Sequence, residues 1–485
     1  MKNYSDVPSS KSMKILPWLV AISFFMQMLD GTILNTALPV MAGELHISPL
    51  RMQAVVIAYM LTAALLIPAS GWLADRFGSR LVFFLAICLF TLGSLLCALS
   101  PNLEFLVFSR IVQGAGGALM VPVGRLVILK VYPRHELVRI LSFVTIPGLI
   151  GPLVGPAMGG LLVQYASWHW IFLLNIPFGI LGALLTLKYM PCLKEVFQSR
   201  FDTKGFIIFT TSIVLITMAM EGLGELHMPK VQSVMLCILG LLLMCLYWLR
   251  CAQSENSIFS VRLFRKRTFS VGIFGNLFAR LASGAAPFLM PLFLQLGLGF
   301  SPLAAGMTMI PAALAGIAGK QLITPIMKRV GFRAFLIVNT LILGYLMAGF
   351  SLITPETPYG LLLCLLAMFG TINSMQFTAM NSVTLIDLDN HEAGSGNSLL
   401  SVTMQISAVT GIAVAAALLD GFTSAFTELP EPELLMRVFH QTFIWVGATS
   451  LATALIFSQL PRDAGKEINE DQNIHRARND NSRIP

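Results

Sequence analysis

Stretches of about twenty apolar residues, joined by short connectors, recur along this chain from Ile15 to Leu460, and a stretch of that length crosses a hydrocarbon core as one helix. Composition agrees. Of 485 residues, 56% are apolar and only 12% are Asp, Glu, Lys or Arg, roughly half the ~25% charge of soluble proteins. So few charges cannot cover a water-facing surface, which excludes disordered, nucleic-acid-binding and ordinary cytosolic classes. The expected fold class is an all-α polytopic membrane protein. The seven cysteines are odd in number, lie mostly in apolar runs and show no CxxC spacing, so neither a metal site nor a disulfide framework is expected. The first apolar run is too long for the core of a signal peptide and is expected to remain as a span.

Hydropathy predicts fourteen spans. Six lie near 16–38, 52–73, 81–99, 104–124, 140–163 and 170–190. Two lie near 205–221 and 231–249, and six more near 270–294, 303–326, 334–353, 359–380, 397–419 and 438–460. With the N-terminus in the cytoplasm, 25 basic residues fall on cytoplasmic segments and 3 (Arg51, Lys230, Arg437) on the other side. That bias fixes both termini inside, so the net charge of +8 is a topology signature and implies no nucleic-acid partner. Arg110, Arg125, Arg280 and Lys320 are the basic residues left within spans.

A repeat divides the chain. Ser48-Pro49-Leu50 leads into span 2, and Arg76-Phe77-Gly78-Ser79-Arg80 follows it. At one constant offset, Ser301-Pro302-Leu303 leads into span 10, and Arg329-Val330-Gly331-Phe332-Arg333 follows. The predicted plan is therefore a cytoplasmic N-tail (1–15), a six-helix bundle (16–190), a linker holding two extra helices (191–269), a second six-helix bundle (270–460) and a polar cytoplasmic tail (461–485). Two such halves are a transporter plan, with the substrate site near the midplane between them.

Few residues within the spans carry chemistry. Asp30 is the only carboxylate near the middle of a span. An ionised Asp at that depth costs about 2.5–3.5 kcal/mol, so it needs a cavity or a partner. Burial and a nearby cation act oppositely on a carboxyl, so a conformational change could load and release a proton there. The alternative is an ion pair that never titrates. Arg110 has no acid in its own helix; Asp30 is the obvious partner, and backbone carbonyls are the alternative. In the loop after span 2, Gly71 and Gly78 allow close approach and a tight turn, while Asp75, Arg76 and Arg80 can latch across the loop or simply set topology. In span 5, Gly151, Gly155 and Gly159 recur every fourth residue, which suits close helix packing, and Pro152 and Pro156 favour bending. Asn35, Asn276, Arg280, Asn373, Gln376 and Gln405 are candidate cavity residues, each equally suited to an interhelical hydrogen bond, as is Asn381. Trp168 and Trp170 are expected as interfacial anchors.

Several of these stretches resemble signatures of the major facilitator superfamily. Gly71 to Arg80 resembles its loop motif. Leu29-Asp30-Gly31-Thr32-Ile33-Leu34-Asn35-Thr36-Ala37-Leu38-Pro39 resembles the first-span motif of the fourteen-helix drug:proton antiporter branch. Arg110-Ile111-Val112-Gln113-Gly114-Ala115-Gly116-Gly117-Ala118 resembles its span-4 motif, and Gly148 to Gly160 its span-5 motif. The resemblance implies two six-helix bundles plus two inserted helices. It implies that Arg110 and Gln113 govern a proton site, and that Gly148, Gly151, Pro152, Gly155, Pro156, Gly159 and Gly160 form a hinge between the halves. Ser79 departs from the family by standing where a basic residue is frequent, and Thr324 and Lys328 stand where the first half has Gly71 and Asp75.

The chain has no GxxxxGK[ST] loop, HExxH helix or GxSxG elbow. It is therefore read as no enzyme, with no cofactor beyond protons as coupling ion and no catalytic or metal-binding residue. The expected function is proton-coupled export of amphipathic small molecules or drugs across a bacterial inner membrane, by a monomer embedded in the lipid bilayer. A dedicated exporter or symporter of one metabolite is the alternative, and a transport-inactive sensor or scaffold a distant one.

Overall fold

The computed structural model describes residues 10–194, 201–223, 229–253, 258–389, 392–426 and 430–461. The tail residues 1–9 and 462–485 and the side chains of Thr324 and Lys328 lie outside that description. Among the described residues, thirteen helices are long and apolar enough to cross a membrane. Spans 1 to 6 are Ser12–Ile33, Pro49–Phe77, Ser79–Ala98, Leu103–Val131, Arg139–Tyr165 and His169–Tyr189. Spans 7 and 8 are Thr203–Met220 and Val231–Ala252. Spans 9 to 13 are Arg267–Gly297, Pro302–Met327, Phe332–Leu352, Tyr359–Leu385 and Gly394–Ala425. A further 27-residue helix, Glu431–Phe457, is not among those thirteen; it stands where the fourteenth span was expected and is labelled span 14.

Caps and turns explain where these helices begin and end. Asn102 accepts from Phe105 N at 2.9 Å and starts span 4. The two repeat arms fold alike. Ser48 and Ser301 each cap a helix that has Pro in its first turn. Gly78 and Gly331 end the next helix with φ of 91° and 80°, values a side chain would strain. The packing repeats as well. Span 1 packs on 5, 2 on 4, 3 on 4 and 3 on 6; correspondingly, 9 packs on 13, 10 on 12, 11 on 12 and 11 on 14. Between the halves, span 5 meets span 10 and span 2 meets span 13, a pair of contacts that the same repeat interchanges. Spans 7 and 8 pack on each other, joined by Ser212 Oγ on Gly240 O at 2.7 Å, and touch the body mainly through span 13.

One end of the molecule is closed and the other divided. At the end marked by Pro302, a single apolar core joins Leu29, Ile33 and Val55 of the first half to Leu289, Phe293 and Ala305 of the second. Gln295 Nε2 donates to Thr36 O at 2.9 Å, and Leu303 N donates to Gln164 Oε1 at 3.2 Å across this junction. Spans 5 and 10 touch backbone to backbone: a Cβ on Gly160 would lie 2.2 Å from Pro302 O, and one on Gly306 would lie 2.2 Å from Pro156 O. At the opposite end, marked by Asp75, the cores separate. Phe83, Phe90 and Val123 belong to one, and Ile323, Phe335 and Met375 to another. A third core bridges the halves there on one side only, through Leu65, Phe209, Ile273 and Leu400.

Two expectations need correction. Span 1 was expected to reach residue 38, but its helix ends at Ile33, tightens over Leu34–Thr36, and restarts as a short helix, Leu38–Glu44, with Pro39 in its first turn. Hydropathy counts apolar residues and is blind to such a break. Trp168 is not an interfacial anchor. It is 2% exposed, donates Nε1–H to Glu44 at 2.7 Å and stacks on His169, because the indole N–H finds an acid at the end of Leu38–Glu44. Trp170 does face outward.

Gly160→Val and Gly306→Val are expected to force spans 5 and 10 apart at the Pro302 end. Each should cost about 1–3 kcal/mol by overpacking, seen as a lower unfolding midpoint of the purified protein. A cysteine placed at Thr36 should label faster with a water-soluble maleimide in those variants.

Candidate functional site

Asp30 lies one helical turn before the end of span 1 and is 1% exposed. It sits nearer the closed end than the middle of the span, because the helix stops at Ile33. Its Oδ2 accepts from Arg110 Nη1 at 2.7 Å, and its Oδ1 accepts from Gln113 Nε2 at 2.8 Å and Asn175 Nδ2 at 3.1 Å. Ser94 Oγ completes the ring, accepting from Gln113 Nε2 at 2.8 Å and Asn175 Nδ2 at 3.3 Å. Four helices thus converge on one carboxylate: spans 1, 3, 4 and 6.

Arg110 is also held from other directions. Its Nη1 donates to Gln113 Oε1 at 2.6 Å, its Nε donates to Val55 O at 3.3 Å, and its guanidinium lies 4.3 Å from the centre of the Tyr59 ring. Gln113 therefore bonds both members of the ion pair, with its amide N–H on the acid and its carbonyl on the base. Were Asp30 protonated, Arg110 would keep the Gln113 and Val55 oxygens, so the charge would not be stranded.

The glycines after Gln113 make this geometry reachable. A Cβ at Gly114 would come within 2.7 Å of Tyr59 O in span 2, and one at Gly116 within 2.3 Å of Phe90 N in span 3. Span 4 can press against both neighbours only without those atoms. Span 5 uses the same device on span 1. A Cβ at Gly148 would strike the Phe24 ring, one at Gly151 would reach Leu29 N, one at Gly155 Thr32 Oγ1, and one at Gly159 Ile33 O. Span 5 nonetheless runs as one helix through Pro147, Pro152 and Pro156. Its partner carbonyls are tied to span 1, with Thr32 Oγ1 donating to Gly151 O at 3.3 Å and Thr36 Oγ1 to Pro156 O at 3.1 Å.

The stretch expected as a loop after span 2 is helical through Phe77, leaving Gly78 alone as the turn before span 3, because the polar residues lower hydropathy without ending the helix; its side chains find partners inside the first half. Asp75 Oδ1 accepts from Lys130 Nζ at 2.8 Å, a residue of span 4 not foreseen from the loop motif. Arg80 Nε donates to Met190 O. Ser79, the departure from the family pattern, donates Oγ–H to Pro191 O at 2.8 Å and accepts from Leu193 N at 3.0 Å, fastening the loop to the end of span 6. Arg76 lies 5.4 Å from the Trp72 ring. Gly71 has no atom near where a Cβ would stand.

The cavity candidates divide. Gln376 is buried against span 11, accepting from Asn339 Nδ2 at 2.8 Å and donating to Thr340 Oγ1 at 2.7 Å, so it joins helices within the second half and does not face the junction. Asn35 is buried, and its Nδ2 reaches back to Gly31 O at 3.4 Å. Asn276 and Arg280 lie together, with Arg280 Nε donating to Asn276 Oδ1 at 3.0 Å. Asn373 and Gln405 are part-buried on spans 12 and 13. Ser94, Tyr59 and Asn175 escaped the sequence reading. Asn175 was visible as a lone amide in an apolar run, whereas Ser94 carries no signal that separates it from any other membrane serine.

The sequence profile of the Major Facilitator Superfamily matches residues 20–412. A protein of Pectobacterium carotovorum subsp. carotovorum (strain PC1), named "Putative multidrug resistance protein MdtD", is 46% identical over 459 residues, covering 95% of this chain and 98% of that protein. One of the same name from Yersinia enterocolitica serotype O:8 is 45% identical over 454 residues, covering 93% and 96%. Among solved structures, a POT family transporter in complex with 5-aminolevulinic acid superposes with a TM-score of 0.67 at 16% identity, covering 93% of this chain and 95% of that one. The nucleoside transporter NupG gives 0.60 at 15% identity, covering 92% and 100%. At those identities the solved structures speak to the fold alone.

Removing one member of the buried pair should hurt more than removing both. Arg110→Met alone is expected to cost about 3–5 kcal/mol, because Asp30 is then buried without its cation. The double variant Asp30→Leu/Arg110→Met should recover a substantial part of that loss. Chemical unfolding of the purified protein checks the order.

Proposed function

The chain belongs to the Major Facilitator Superfamily, and from that premise we propose that this transporter exports amphipathic small molecules in exchange for protons across a bacterial inner membrane, with both termini in the cytoplasm. The observation that carries the reading is the buried carboxylate of Asp30, held by Arg110 and bridged by Gln113. A proton on Asp30 removes the negative half of the pair and frees Arg110 to follow its other oxygens. One of these is the backbone of Val55 in span 2, and span 2 is one of the helices that meets the second half. The charge state of Asp30 thereby acts on a seam between the halves, which is what alternating access requires.

With basic segments inside, the closed Pro302 end faces outward and the divided Asp75 end faces the cytoplasm, the arrangement of a transporter ready to receive cytoplasmic substrate. Span 5, pressed on span 1 by Gly148, Gly151, Gly155 and Gly159 and on span 10 by Gly160, acts as the hinge. The gate loop, fixed in this state to Lys130, Met190 and Pro191, exchanges partners when the cytoplasmic end closes. The relatives named for multidrug resistance favour drugs over a single metabolite as cargo.

The test uses inverted membrane vesicles energised to drive efflux. Asp30→Asn should abolish efflux driven by a proton gradient and flatten its pH dependence, while counterflow of substrate down its own gradient persists. A cytoplasmic ion pair serves as control. The Glu392 carboxyl is held below its usual 4.5 by the hydrogen bond from Lys266, and the same bond holds the Lys266 ammonium above its usual 10.5. The Glu392 contribution is present above pH 4.5 and fades as pH falls through the lowered value; that of Lys266 is present below 10.5 and fades as pH rises through the raised value. Neither group changes charge between about pH 6 and 8, so Lys266→Gln should leave the pH profile of efflux in that window unaltered. Retention of proton-driven efflux in Asp30→Asn would sink the proposal.

A further inference from the structure

Arg280 stands near the middle of span 9 and is 8% exposed. Span 9 shows Phe274 and Phe278 to the outside. Two residues beyond each, the helix has turned through about 200°, which puts Asn276 and Arg280 on the opposite, inner face. There Arg280 Nε donates to Asn276 Oδ1 at 3.0 Å, and Nη2 donates to Asn381 Oδ1 of span 12 at 3.4 Å. The guanidinium carbon lies 3.9 Å from the centre of the Phe377 ring.

Every one of these partners is neutral. Among the described residues no carboxylate lies within ion-pair distance of Arg280, whereas Arg110 in the first half has Asp30. Arg125 in span 4 and Lys320 in span 10 likewise have no ion-pair partner among the described residues. Arg280 is therefore a buried cation whose charge no described residue neutralises. A buried cation in that position is costly to maintain without a counter-ion.

Phe377 shows where the counter-ion would enter. Leu361 and Met368 are exposed on one face of span 12, seven residues apart. Phe377 is also exposed, and it lies nine residues past Met368, about half a revolution around the helix. Its open edge therefore looks inward, away from lipid. With Nε on Asn276 and one Nη2 hydrogen on Asn381, Arg280 keeps its Nη1 hydrogens and the second Nη2 hydrogen, and that end of the fork matches the two oxygens of a carboxylate.

We propose that Arg280, steadied by Asn276, Asn381 and Phe377, is the subsite that receives the carboxylate of an amphipathic organic acid, so that the cargo of this transporter includes organic anions. The proposal rests on reading the chain as a small-molecule transporter and is independent of how transport is energised. The Arg280 N–H edge takes the carboxylate, and the Phe377 ring packs against the adjoining apolar part.

The probes are 2-naphthoate and its neutral counterpart 2-naphthamide, which share one ring system and differ in charge. Equilibrium binding to the purified full-length protein, followed by probe fluorescence, should favour naphthoate by about tenfold or more, a difference of about 1.4 kcal/mol. Arg280→Gln should erase that preference, Arg280→Lys should keep part of it, and Asn381→Ala should weaken naphthoate more than naphthamide. If Arg280→Gln does not fold, the wild-type preference and the Asn381→Ala result decide. Equal binding of the two probes to the wild type, binding of neither, or an undiminished preference in Arg280→Gln would overturn the proposal. A chain that keeps the naphthoate preference but shows no proton-driven efflux would refute the antiport reading and leave the anion site standing.

Discussion

A carboxylate buried among helices has no water to fall back on, and the first half of this protein is arranged around that fact. Asp30 is satisfied because span 4 brings Arg110 and Gln113 to it and span 6 brings Asn175, with Ser94 of span 3 holding both amides in place. The glycines of span 4 exist to let that convergence happen, since any Cβ at Gly114 or Gly116 would hold the neighbouring helices off. Packing and chemistry are therefore one problem here. A change that loosens the helix contacts also loosens the ion pair.

The two halves share one plan and differ in how they treat charge. Ser48 and Ser301, and Gly78 and Gly331, occupy matching places with matching geometry. Yet Arg110 is neutralised by an acid in its own half, and Arg280 is held by amides and an aromatic ring. Among the described residues, one half carries a buried cation with its counter-charge built in, and the other a buried cation without one. The asymmetry suits a division of labour in which protons are handled on one side and cargo on the other.

Much of this was readable from the residues alone. Apolar run lengths reported the helices because hydrocarbon thickness sets a length that sequence must meet. The repeat was readable because a serine cap and a glycine turn each depend on one residue type. Asp30 and Arg110 stood out because charges within spans are rare. What escaped was whatever depends on three-dimensional company. Ser94 looks like any small polar residue until Gln113 and Asn175 are beside it. Trp168 sits where interfacial tryptophans sit, and only the fold of Leu38–Glu44 brings Glu44 to its N–H. The break after Ile33 was hidden because the residues that follow it are as apolar as those before.

Arg110 grips span 2 by the carbonyl oxygen of Val55 and not by its side chain. The link between the Asp30–Arg110 pair and span 2 through this bond is therefore independent of which side chain stands at position 55. Substitutions there can alter packing without cutting that hydrogen bond, whereas the second contact of Arg110 with span 2, over the Tyr59 ring, does depend on a side chain. On the proposed mechanism, a shift of Arg110 would therefore act on span 2 through its main chain.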